Sequence, residues 1–172
     1  SNSVLSMLYA VDGKAISRVN TTDSLPPEIE ALPALGQTAN INMEQLLGLN
    51  PDLVLGLENQ HKKYEAQLQS SKIPTVLINY DGIKDNAPLL TFLGELTNHQ
   101  DKAKTVIATY ENNIAKVKDA VKGQQPARVA VLRATGKGVT AETDASITAS
   151  MVKELGMTNV VTSHLDKTTT DK

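Results

Sequence analysis

A chain of 172 residues, 40% hydrophobic and 21% charged, is long enough to bury a core, since a domain of about 150 residues hides about 68–70% of its unfolded surface. Its formal net charge of −2, with both signs interspersed, creates no field that would draw nucleic acid or an anionic membrane, so neither is expected as a partner. No apolar run approaches the ~18–20 residues of a membrane helix, no stretch reads as a signal-peptide core, and the lack of Cys excludes disulfides, thiolate ligands and a cysteine nucleophile.

Ser1-Asn2 reads as a tag-cleavage remnant and stands outside the fold argument. Residues 4–11 suit a helix with Gly13 as its breaker, and Ala15 to Val19 a short strand. Thr21 to Pro27, with two prolines among small polar residues, reads as a surface loop before Leu32 to Leu35 returns to a sheet. The stretch 36–56, GQTANINMEQLLGLNPDLVLG, then carries the densest information. A Gly-led loop feeds a helix capped by Asn42, with Met43, Leu46, Leu47 and Leu49 mainly on one face. Pro51 ends that helix, and Leu53-Val54-Leu55 reads as a strand buried on both faces of a parallel sheet.

Glu58 to His61 reads as a polar loop, followed by a helix through Tyr64 and Leu68 that ends near Ser70-Ser71-Lys72. Thr75 to Ile78 is a second buried strand with Asn79-Tyr80-Asp81-Gly82 as its exit loop. Asn86, with Pro88 in the first turn, starts a short helix containing Leu89, Leu90, Phe92, Leu93 and Leu96, which Thr97-Asn98 interrupts. From about His99 the apolar residues Ala103, Val106, Ile107, Tyr110, Ile114, Val117 and Val121 step by three or four until Gly123. Such a helix spans on the order of 35 Å, enough to link two bodies. Val129 to Leu132 then reads as a strand, Thr135-Gly136-Lys137-Gly138 as a turn, Ala145 to Leu155 as a helix stopped by Gly156, and the last eleven residues as frayed.

The 36–56 stretch resembles the N-terminal lobe of the substrate-binding proteins of iron-siderophore, haem and vitamin B12 ABC importers, whose pattern runs VG, then N-hydrophobic-E, then PDLV. The likeness extends through MLYAVDGKAISRV (7–19), the Leu25-Pro26-Pro27-Glu28 turn and LPALG (32–36). It continues through KIPTVLIN (72–79), FLGELTNHQDKAKTVIATYENNI (92–114), ARVAVLRATGKG (127–138) and ELGMTNVV (154–161). It implies an α/β fold: a Rossmann-like parallel-sheet lobe over 4–98, a linking helix over 99–123 and part of a second α/β lobe over 124–172. Against the family pattern the chain starts after the usual first strand and ends after one βα unit of the second lobe. A parallel sheet short of a strand leaves unpaired edges, so association into a dimer through those edges is expected.

The resemblance also implies a function: extracytoplasmic capture of an iron chelate or haem between two lobes, in the periplasm or lipid-anchored at the cell surface, and delivery to a membrane permease. Ligand-facing loops implied by it are Gln37, Thr38, Ala39 and Asn40, then Leu57, Glu58, Asn59, Gln60 and His61, then Asn79 and Tyr80, with Thr135, Lys137 and Thr140 from the second lobe. Loops at the carboxyl ends of strands are where open α/β sheets bind ligands. Vitamin B12 binders place Trp at the positions of Thr38 and Leu57, which weighs against cobalamin here, and four Tyr with one Phe provide little aromatic surface for a large flat ligand. Haem binders of the family use Met, His or Tyr as iron ligands; Met43 is expected to face the core, leaving His61 and Tyr80 as the nearby loop candidates. Glu44 matches the family's Glu that docks onto permease arginines, and an acid in a first helical turn is favoured by the helix dipole.

Other chemistries find less support. His61, His99 and His164 show no metal-ligand spacing, although a divalent-metal (Mn or Zn) receptor stands as an alternative within the class. The Thr135–Gly138 turn fails the Walker spacing, and neither GxGxxG nor GxSxG occurs. A nucleotide-binding α/β enzyme domain is the reading from another class, since a fold alone does not determine function. No enzymatic activity and no resident cofactor are expected.

Overall fold

The computed structural model describes residues 2–136 and 138–164. It is a mixed α/β protein that divides into two compact units, the first formed by residues up to Tyr80 with Leu89–Val106, the second by Asp81–Pro88 with residues from Ile107 onward. The segment 81–88 joins the second unit for a local reason: the Tyr110 hydroxyl donates to the Ile83 carbonyl at 3.4 Å, and Gly82 lies against Ser150.

The first unit opens with α1 (Asn2–Ala10), so Asn2 is part of the first helix rather than a loose remnant. Asp12, at φ 60°, makes the left-handed turn that ends α1, and the Gly13 N–H closes it on the Leu8 carbonyl at 2.9 Å. Gly13 is therefore needed for space and not for its dihedral: a Cβ there would lie 2.5 Å from Leu8 Cδ1 and 2.9 Å from Thr97 Cγ2. The expected strand at 15–19 shortens to a single parallel bridge, Arg18 to Ala34. After α2 (Pro27–Glu30), a small antiparallel hairpin pairs β1 (Gly36–Gln37) with β2 (Asn40–Ile41), where the sequence shows only a loop.

Asn42 caps α3 (Met43–Gly48) as expected, its Oδ1 accepting from the Gln45 N–H at 3.0 Å. Asn50, at φ 46°, turns the chain out of α3 before Pro51. The parallel pair that follows, β3 (Val54–Leu57) and β4 (Thr75–Ile78), runs in register from Val54 opposite Thr75 to Leu57 opposite Ile78. Its apolar side chains are half-buried rather than covered on both faces, because β3 borders a cavity of about 510 Å³ that also touches Ser17 and Val19. Between the strands, residues 58–61 are helical (α4, Glu58–His61), not a loop, and lead through a 3-10 turn into α5 (Glu65–Ser70). Leu35, Leu46 and Leu68 form a core cluster against which Met43 and Tyr64 pack.

Helix α6 (Asn86–Leu96) contributes Leu89, Leu90 and Leu93 to the core, and Asn98, at φ 59°, separates it from α7 (Gln100–Val121). The α6–α7 corner is tight, since a Cβ on Gly94 would meet that of Ala103 at 2.5 Å. Helix α7 is continuous over 22 residues and passes from the first unit into the second. Its apolar stripe is real, but Val117 on it is exposed.

In the second unit the expected strand 129–132 is split into β5 (Arg128–Val129) and β6 (Leu132–Thr135), because each has a different partner. Strand β5 pairs in parallel with β8 (Thr158–Asn159), while β6 forms an antiparallel hairpin with β7 (Gly138–Ala141). Ser146 caps α8 (Ile147–Glu154), and Gly156, at φ 75°, ends that turn. Thr162 lies in α9 (Val160–His164) and so is helical rather than frayed; residues 165–172 are outside the described residues. Ala149 is the buried apolar residue of this unit among those described, while Leu132 and Val139 are 62% and 66% exposed.

Candidate functional site

The parallel register of β3 and β4 determines where the site lies. With Leu57 opposite Ile78, the residues that follow each strand, Glu58–His61 and Asn79–Tyr80, leave the sheet at the same carboxyl edge. A third segment, the turn between β1 and β2, is brought to that edge by a side chain. His61 is buried, 7% exposed, and both of its ring nitrogens are engaged. Nδ1 accepts from the Leu57 N–H at 2.7 Å, and Nε2 lies 2.7 Å from the Thr38 carbonyl. An amide can only donate and a carbonyl only accept, so the neutral ring carries its proton on Nε2. Burial pushes the His61 pKa below its usual 6.5, with the positive charge of Lys63 acting in the same direction against the bond to Thr38. Gly56 makes the approach possible: a Cβ there would stand 3.1 Å from His61 Cβ and 3.2 Å from Nδ1.

His61 thus differs from a loop histidine open to a ligand. Its one nitrogen lone pair, which a haem-iron ligand would need, is taken by the Leu57 N–H in this arrangement. Two neighbours that sequence reasoning passed over join it. Lys63 donates to the Ala39 carbonyl at 2.6 Å, and the Tyr64 hydroxyl accepts from the Ile41 N–H at 3.0 Å. The Lys63 ammonium sits 4.9 Å from the centre of the Tyr64 ring. Nothing in a lone KKY run announces this, because the partners are 23 and 24 residues away.

Of the other expected ligand-facing residues, Gln37, Ala39, Asn40, Asn59 and Asn79 are exposed along this edge, while Thr38, Leu57, Glu58, Gln60 and Tyr80 are half-buried. Glu58 is partly engaged, its carboxylate 3.0 Å from Lys62. Thr135 and Thr140 lie on the β6–β7 hairpin of the second unit, and Lys137 is outside the described residues. Glu44 is exposed in the first turn of α3, with no ion-pair partner among the described residues. Met43 packs against the core cluster, as expected. Among the described residues no three His, Cys, Asp or Glu side chains gather as a metal site.

An α/β body with polar segments gathered at the carboxyl ends of parallel strands has the arrangement of a small-molecule binding protein. The chain belongs to the periplasmic binding protein family, whose family model matches residues 1–170. Members of this family are substrate-binding proteins of transport and not enzymes, which sets aside the nucleotide-binding enzyme reading. A vitamin B12-binding protein of Pectobacterium carotovorum is 25% identical over 157 residues, covering 90% of this chain and 57% of that protein. The ferric enterobactin-binding periplasmic protein FepB of Escherichia coli is 35% identical over 113 residues, covering 63% of this chain and 35% of that one. The chain thus spans from about a third to just over half the length of these relatives. Among solved structures, an ABC transporter substrate-binding protein from Listeria monocytogenes superposes with a TM-score of 0.81 at 16% identity, covering 93% of this chain and 62% of its own. Staphylococcus aureus IsdE complexed with heme gives 0.78 at 22% identity, covering 90% and 60%.

Proposed function

We propose that this chain is part of the extracytoplasmic solute-binding component of an ABC importer for a ferric siderophore or haem. The observation that carries this reading is the convergence of the 37–40 turn, the 57–61 segment and the 79–80 loop at one sheet edge. Relatives named for ferric enterobactin and for siderophore binding by a lipoprotein support the ligand class and the location outside the cytoplasm. The absence of Trp at Thr38 and Leu57 favours an iron chelate over cobalamin. Affinity comes from shape and a few polar contacts, with no bond made or broken. Titration with hemin and with ferric enterobactin, followed by absorbance and by tyrosine fluorescence, tests it. Saturable binding of one of them is expected, and saturable binding of neither overturns the reading.

Delivery to the permease falls to Glu44, whose exposed carboxylate is available for a charge-assisted pair with an arginine. In the intact protein, Glu44→Arg is expected to reduce transport at least tenfold while leaving ligand affinity within twofold. Unchanged transport would remove the docking role. Association belongs to the same reading: β3 pairs only with β4 among the described residues, so a second copy's strand could pair with its other edge. Light scattering is expected to report a dimer at micromolar concentration, and a monodisperse monomer would exclude it.

A further inference from the structure

We propose that His61, Lys63 and Tyr64 act together as a clasp that holds the Thr38–Ile41 turn against the carboxyl end of β3, making them positioning residues for ligand capture rather than ligand contacts. The ligand half of this statement rests on the function proposed above; the clasp itself rests on geometry alone. Three of the four residues Thr38–Ile41 are engaged by this cluster: the Thr38 and Ala39 carbonyls accept from His61 and Lys63, and the Ile41 amide donates to Tyr64. The turn has little else to hold it. Strands β1 and β2 are two residues each, Ala39 and Asn40 are exposed, and no apolar side chain of residues 37–40 is buried. A two-residue ladder is marginal by itself. The orientation of Gln37, Thr38 and Asn40 is therefore decided by side chains about two dozen residues further along the chain.

One member of the clasp responds to pH. His61 can hold both Leu57 and Thr38 only as the neutral ring, because a proton on Nδ1 would face the Leu57 N–H. The charged side chain acting on the ring is Lys63, whose positive charge opposes protonation along with burial. Glu58 on the same helix is paired with Lys62. Because the pKa in the folded protein lies below 6.5, the clasp is complete above about pH 6.5 and is lost as pH falls through that lowered value. Acid thus opens the link through His61 at its Leu57 end, where the Nδ1 lone pair is lost, and so uncouples the Thr38 turn from β3 at that attachment.

The test compares wild type with His61→Gln, His61→Ala and Lys63→Met between pH 5 and 8. Glutamine keeps a donor for the Thr38 carbonyl and does not titrate. Amide hydrogen exchange, corrected for the intrinsic pH dependence, is read at Leu57 and at residues 38–41 in the ligand-free chain. Wild type is expected to lose about 3- to 10-fold of protection at these amides on acidification, the scale of one hydrogen bond. His61→Gln should be flat with pH and near wild type at neutral pH, His61→Ala flat and unprotected, and Lys63→Met should lose protection at neutral pH with the wild-type pH profile retained. Exchange at 38–41 that is the same in all four proteins overturns the clasp. Hemin and ferric enterobactin titrations across the same range form the second arm. Affinity falling in parallel with protection in wild type but not in His61→Gln supports the positioning role. Affinity that is independent of pH in wild type while protection changes overturns that role. If protection behaves as expected and neither probe binds at any pH, the clasp stands and the proposed ligand class fails.

Discussion

Replacing Gly36 with alanine is expected to disable the site with a single methyl group. Gly36 sits at φ 98°, a conformation side chains rarely adopt, and an ideal Cβ there would lie 2.7 Å from the Asn40 carbonyl oxygen. That oxygen belongs to the backbone of β2 and cannot rotate away, so the hairpin must open. The same residue accepts from the Asn20 N–H at 2.7 Å, while the Asn42 amide beside it donates to the Leu35 carbonyl at 2.7 Å. Distortion therefore spreads from the turn into the Asn42 cap of α3. A loss of about 1–3 kcal/mol in stability is expected, from dihedral strain and overpacking together, with at least a tenfold loss of hemin or ferric enterobactin affinity. Gly48→Ala is the control, because nothing lies within 4 Å of the Cβ it would add and its φ is ordinary. At the last residue of α3, that substitution should be neutral or stabilise by no more than about 0.5–1 kcal/mol. Equal effects of the two changes, by urea unfolding and by titration, would refute the argument.

The second large effect is expected at Leu93, whose exposure is 0% at the centre of α6. Truncating it to alanine removes three buried carbons from the face of α6 that also carries the buried Leu89 and Leu90, four and three residues back. The cost should fall in the range of about 2–5 kcal/mol. Val117→Ala, on an exposed part of α7, should cost no more than about 0.5 kcal/mol. Urea midpoints followed by far-UV circular dichroism measure both. A Leu93 variant as stable as the Val117 variant would mean that the α6 face is not the core of the first unit.

Both effects concern residues whose importance is legible in the sequence to different degrees. Leu93 is one of a run of apolar residues after a Pro-containing helix start, and the step of three or four along 103–121 similarly announces α7. Asn42 as a cap and Thr75–Ile78 as a strand are equally local facts, and the structure has both of them. Such features depend on a backbone's own hydrogen bonds and on one apolar face, which neighbours in sequence supply. The split of 129–132 between two partners is different, because no residue in that run says that Val129 pairs with Asn159 and Leu132 with Ala141. The same holds for residues 58–61, polar enough to read as a loop, which become helical where His61 can turn inward over Gly56.

By itself, then, the sequence determined the α/β class, the family resemblance and most helices, because periodicity and capping act over a few residues. It also marked the segments that meet at the carboxyl edge of β3 and β4. What only the tertiary structure decided is how those segments are held: a histidine expected to face a ligand is instead buried between the Leu57 amide and the Thr38 carbonyl, with Lys63 and Tyr64 beside it. The reason is physical. A ring with one donor and one acceptor is satisfied by whichever main-chain groups the fold brings to it, and one of those groups lies 23 residues away, beyond the reach of any local pattern.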